Sequence, residues 1–136
     1  MQAAVDRGSR PPVVLVLRSL AAVVGGYLIF AFSAFALFAL SGRAPHAPQP
    51  LWFVVTATLY GMGFAGLGGF VAARVAPARP LLHAATVAVV LALGATVSLL
   101  TSPGTSATWS QWTALALMAP SAYVGGRLAA ARRVAD

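Results

Sequence analysis

Four long apolar stretches alternate with short polar ones along the chain. They run from about 19 to 40, 51 to 73, 81 to 100 and 109 to 131. At 1.5 Å rise per residue, each is long enough to cross a hydrocarbon core as a helix. The stretch from Leu51, LWFVVTATLYGMGFAGLGGFVAAR, is apolar all round, opens near Trp52 and closes on Arg74. The pattern predicts an all-α polytopic membrane protein: an up-down-up-down bundle of four transmembrane helices joined by short turns.

The polar segments set the boundaries. Met1 to Pro12 carries Asp6, Arg7 and Arg10 and is expected to be disordered or interfacial. With Arg18, residues 1–18 read as a basic tail, 19–131 as the membrane domain and 132–136 as a second basic tail. A basic start before an apolar run also describes a signal peptide. The first run is longer than a signal's apolar core of about 7–15 residues, so an uncleaved span is expected. Three prolines in SGRAPHAPQP (41–50) preclude a continuing helix. RVAPARP (74–80) is a basic turn, and TSPGTSAT (101–108) holds a Pro-Gly turn signal.

Small residues recur at helical spacing within the spans. Gly61, Ala65, Gly69 and Ala73 line one face of the second; Ser121, Gly125 and Ala129 line one face of the fourth; Ala84, Ala88 and Ala92 line one face of the third. Such faces let helix backbones approach closely in lipid. The pairs Gly68-Gly69 and Gly125-Gly126 permit close approach or bending. Pro120 leaves the carbonyl of Ala116 without its donor, so a kink is expected there.

A shift of 57 positions lays the second span on the fourth. Trp52 falls on Trp109, Ala65 on Ala122, Gly68-Gly69 on Gly125-Gly126, and Ala72-Ala73 on Ala129-Ala130. The match is either a duplicated helix pair or a shared alanine-glycine vocabulary. The first and third spans show no comparable match.

Composition excludes a soluble domain: 60% of the 136 residues are hydrophobic and 8% charged, against roughly 25% charged in soluble proteins. The missing lysine and asparagine and the abundant alanine, glycine, proline and arginine track GC-rich codons and point to a GC-rich bacterium. The net charge of +7 comes from arginine alone. With four spans, one side carries Arg7, Arg10, Arg18, Arg74, Arg79, Arg127, Arg132 and Arg133, and the other only Arg43. The positive-inside rule then puts both termini in the cytoplasm of a bacterial inner membrane. Trp52, Trp109 and Trp112 fall at the outer interface, and Arg74, Arg79, Arg132 and Arg133 at the inner one, as anchors. Arginines at span ends, without interleaved aromatics, do not make a nucleic-acid surface.

Reactive groups are scarce. There is no cysteine, and the two carboxylates, Asp6 and Asp136, lie in the tails. Paired-carboxylate, triad and metal-assisted chemistry lack their parts, so neither catalytic residue nor cofactor nor metal is expected. His46 and His83 fall on opposite faces of the membrane and cannot share a ligand; His83 is a candidate headgroup contact or proton carrier. Gly61 to Gly66 matches a GxGxxG fingerprint, but its amides lie inside a helix and are already bonded. Intramembrane hydroxyls, among them Ser33, Thr56, Thr58, Thr86, Thr96, Ser98 and Thr113, are expected to bond to backbone carbonyls or across helices, with the lining of a polar path as the alternative.

The basic N-terminus, four spans, His83 near the cytoplasmic turn and the ending Gly68-Gly69-Phe70-Val71-Ala72-Ala73-Arg74 together resemble small bacterial four-helix inner-membrane proteins of unassigned activity. The resemblance implies a fold and carries over no functional residue. Four-span multidrug exporters are similar in length, but their membrane-embedded glutamate has no counterpart here. The expected function is a non-catalytic accessory or assembly subunit acting through helix packing, with a homo-oligomeric channel or uncoupled transporter as the alternative. The expected partners are the lipid bilayer and either a second copy or another membrane protein.

Overall fold

A computed structural model describes residues 11–102 and 107–135. Asp6, Arg7 and Arg10, the Pro103-Gly104 turn signal and Asp136 lie outside the described residues. The described chain is helical: α1 (Pro12–Ser41), α2 (Leu51–Val75), α3 (Pro80–Thr101), α4 (Trp109–Thr113) and α5 (Ala119–Ala135). A π-helical segment, Ala114–Met118, joins α4 to α5 into a fourth rod. The helices α1, α2 and α3 are long and apolar enough to cross a membrane.

The first helix starts at Pro12, seven residues before the expected start of the span. Pro12 stands at the first helical position, where its fixed φ suits the helix and its missing N–H costs nothing. Val13 to Leu17 carry the apolar run through to Arg18, and one arginine does not break a helix. The helix ends at Gly42, whose φ of 64° is the left-handed conformation glycine accepts most readily. Prolines at 45, 48 and 50 then hold the loop out of helix until Leu51.

The core is made of small residues. Ala65, Ala72, Ala73, Ala84, Val87, Ala122 and Ala129 are fully enclosed, and Leu91 and Met118 nearly so. Large side chains such as Phe32, Phe35, Leu59, Leu93 and Leu128 point outward. This inversion of a soluble core suits a lipid surround, where packing rather than apolar burial holds helices together. Gly26 of α1 lies against Gly68 of α2, where an added Cβ would come within 2.6 Å of the Gly68 carbonyl oxygen. Gly126 of α5 lies against the Ala84 Cβ of α3.

The fourth rod bends the expectation at Pro120. The helix does not simply lose a bond there. Ahead of the proline it widens, and the Ala119 N–H donates to the Ala114 carbonyl, five residues back. A π turn absorbs the donor that Pro120 lacks. It also divides the rod into helices of 5 and 17 residues on either side.

Candidate functional site: the α2–α5 seam and its two ends

The seam between α2 and the fourth rod collects most of the small residues picked out in the sequence. Gly61 is buried against the Met118 side chain, and an added Cβ there would sit 2.5 Å from its terminal methyl. Gly69 meets the backbone of Ala122, and Gly125 the backbone of Gly66. Ala65 and Ala129 are enclosed, and Ala73 clusters with Ala84 and Ala129. These positions are therefore occupied inside the molecule. Ser121 is half-buried and its hydroxyl donates to the Leu117 carbonyl at 2.8 Å.

What stays open is the outer lip of the same seam. Leu59, Met62, Gly63, Gly66, Ser121 and Gly125 line a shallow groove of about 820 Å³. Gly63 is exposed and a Cβ added there would meet nothing within 4 Å. Gly63 and Gly66 lie outside the four-residue repeat of Gly61, Ala65, Gly69 and Ala73. In the sequence they stand out only as part of the GxGxxG match, which does not point to a groove.

The tryptophan end is closed by a polar cap centred on Gln111, which is 3% exposed. Its amide nitrogen lies 2.8 Å from His46 Nδ1, 3.2 Å from Ser102 Oγ and 3.3 Å from Ser98 Oγ. The Ser110 hydroxyl lies 3.0 Å from the Gln111 carbonyl oxygen and 2.9 Å from the Pro45 carbonyl. The 41–50 loop folds over this cap, with Ala107 N–H donating to the His46 carbonyl at 2.9 Å. Trp109 is half-buried, and its indole N–H donates to the Ala47 carbonyl at 3.2 Å. Trp52 and Trp112 are exposed. The Arg43 guanidinium stacks 4.8 Å from the Phe53 ring centroid and 5.1 Å from that of Trp52, and donates to Gln49 Oε1 at 2.7 Å. The cap shares a small cavity of about 170 Å³ with Tyr27, Phe30 and Gly94.

The arginine end is built differently. Arg133 donates to the carbonyls of Arg74 and Ala76, which satisfies the last turn of α2. Arg132 lies 5.7 Å from the Phe70 ring centroid. Arg79, with φ of 47°, is the one described non-glycine residue in the left-handed region. Its carbonyl accepts the Leu82 N–H at 3.0 Å and faces His83 Nδ1 at 3.2 Å.

The hydroxyls named in the sequence mostly turn back on their own helices. Ser33, Thr56, Thr86, Thr96 and Thr113 donate to carbonyls three or four residues earlier. Thr58 is buried with no hydrogen-bond partner. His46 and His83 sit in different turns, one in the cap and one at the start of α3. Among the described residues, no group of three or more His, Cys, Asp or Glu side chains is placed to hold a metal.

No protein-family model matches the chain, no curated protein matches it, and no solved structure matches it.

Proposed function

We propose that this chain is a four-span protein of a bacterial inner membrane, with up-down-up-down helices and both termini in the cytoplasm. It serves as a non-catalytic accessory subunit that receives a transmembrane helix of a partner protein. One observation carries the proposal: the open groove on the α2–α5 seam, where Gly63 and Gly66 lie among Leu59, Leu67, Val124 and Leu128. Helix association in lipid depends on close packing, and small residues set between larger side chains leave room for a second helix to approach. The channel reading has less support, because hydroxyls that bond to their own helix offer few free groups to a passing ion or solute.

Native mass spectrometry after mild detergent extraction from the native membrane tests the reading. The expected mass is this chain plus a different membrane protein, and Gly63→Leu should release the partner with the fold intact. A multiple of the chain's own mass would favour the channel reading and call for flux measurements in liposomes. A bare monomer would refute both. Leucine at Gly69 or Gly126 is the wrong probe, since both positions face backbone or Ala84 within the molecule.

A further inference from the structure

We propose that the arginine end holds a specific anionic phospholipid, with its phosphate between Arg79 and His83 and an acyl chain along the first turns of α1. This rests on membrane insertion and not on the partner subunit proposed above. The site is a cleft of about 360 Å³ between α1 and the α2–α3 turn, lined by Leu15, Leu20, Arg79, Leu82 and His83 among others. One wall is aliphatic and the other carries the cationic groups, which is the division a lipid with a charged head requires.

Charge complementarity names the occupant. Arg79 is exposed, and the described residues contain no aspartate or glutamate to neutralise it. Arg79 is also held in the left-handed backbone conformation that a non-glycine residue disfavours. Its carbonyl takes the Leu82 amide, and Pro80 opens α3 immediately after it. The turn thus sets Arg79 on the rim of the cleft beside His83.

His83 supplies the second polar group of the rim. Its Nδ1 lies 3.2 Å from the Arg79 carbonyl, and the tautomer with its hydrogen on Nε2 can donate to a phosphate oxygen. The rest of the lining, Leu15, Val16, Ser19 and Leu20 from α1 and Pro77 and Ala78 from the turn, carries no charge.

The test places the full chain in nanodiscs of equal phosphatidylglycerol and phosphatidylcholine and counts lipids retained in native mass spectra. Phosphatidylglycerol should be retained over phosphatidylcholine by roughly five-fold or more. Arg79→Gly suits the positive φ, so it should keep the unfolding temperature while abolishing the preference. His83→Leu should weaken the preference with the unfolding temperature unchanged. Equal retention in the unaltered protein, or a preference that survives Arg79→Gly, would overturn the site. Selective loss of phosphatidylglycerol on adding inorganic phosphate would overturn the lipid assignment in favour of a free-anion site. A preference unchanged by His83→Leu would remove His83 from it.

Discussion

At the scale of the residue, Gln111 joins three parts of the chain that are far apart in sequence. His46 comes from the first loop, Ser98 and Ser102 from the end of α3, and Ser110 from its own turn. Replacing it with leucine removes the hydrogen bonds that tie the loop and the end of α3 together through it, at about 1–2 kcal/mol. Gln111→Leu should therefore lower the thermal midpoint in detergent, read by the emission of Trp109 and Trp112. An unchanged midpoint would mean the loop is held without the cap. Glycines give a second contrast. At Gly69 a methyl group runs into the Ala122 backbone, whereas at Gly63 it enters open space. Gly69→Ala should destabilise by about 1–3 kcal/mol, and Gly63→Ala should stabilise by about 0.5–1 kcal/mol as an exposed helical glycine removed. If the two variants melt alike, the seam is not packed as described. The four-residue spacing sets Gly69 on a packing face and leaves Gly63 off it, but nothing in the sequence separates Gln111 from an interfacial neighbour. Between Trp109 and Trp112, a glutamine looks like part of the headgroup layer, and its partners become visible only when the loop folds over it.

At the scale of the element, length and proline placement made most of the helices legible. The apolar run expected at 51–73 is the helix Leu51–Val75, and that expected at 81–100 is Pro80–Thr101. The early start of α1 is hidden in the sequence by Arg18, which reads as a boundary although Val13 to Leu17 are as apolar as the span they extend. The fourth rod departs most. Pro120 cannot donate to Ala116, and the chain answers with a π turn that inserts about one extra residue. That extra residue rotates everything before it by about 100° relative to a continuous α-helix, and it is in this rotated register that Gln111 meets His46. Pro120→Ala restores a donor and should let the segment relax toward α geometry, which would turn Trp109 away from the Ala47 carbonyl. A red shift in tryptophan emission and loss of the protected indole N–H in NMR are the expected signs. An unaltered indole signal would show that the cap holds the π turn and that proline only tolerates it.

At the scale of the whole molecule, the 57-residue offset has a packing explanation. Gly61 lies against Met118 and Arg133 reaches the Ala76 carbonyl at 3.1 Å, both pairs at the offset itself, and the rings of Phe53 and Trp109, one position from it, lie 6.3 Å apart. Residues matched by the offset thus stand at the same height on helices running side by side in the same direction. Each helix is the floor for the other, so both need small residues at the same levels. A true two-fold relation would also make the α2–α3 pair equivalent to an α5–α1 pair, yet among the described residues the backbones of α2 and α3 lie side by side while those of α1 and α5 do not. The same parallel arrangement brings Trp52 and Trp109 to one end and Arg74, Arg132 and Arg133 to the other. This charge asymmetry is the basis for placing the arginine end in the cytoplasm, and it can be checked directly because the chain has no cysteine of its own. Ala44 in the cap loop and Ala78 in the α2–α3 turn are both exposed. A membrane-impermeant maleimide should label Ala44→Cys in intact cells. It should label Ala78→Cys, and Val134→Cys on the same side, only after the membrane is opened. The reverse pattern would invert the orientation, and labelling of all three in intact cells would mean the helices do not cross the bilayer as four spans. In that case Arg79 and His83 would no longer face the anionic cytoplasmic leaflet, and the partner helix proposed for the groove would have to enter from the opposite sense.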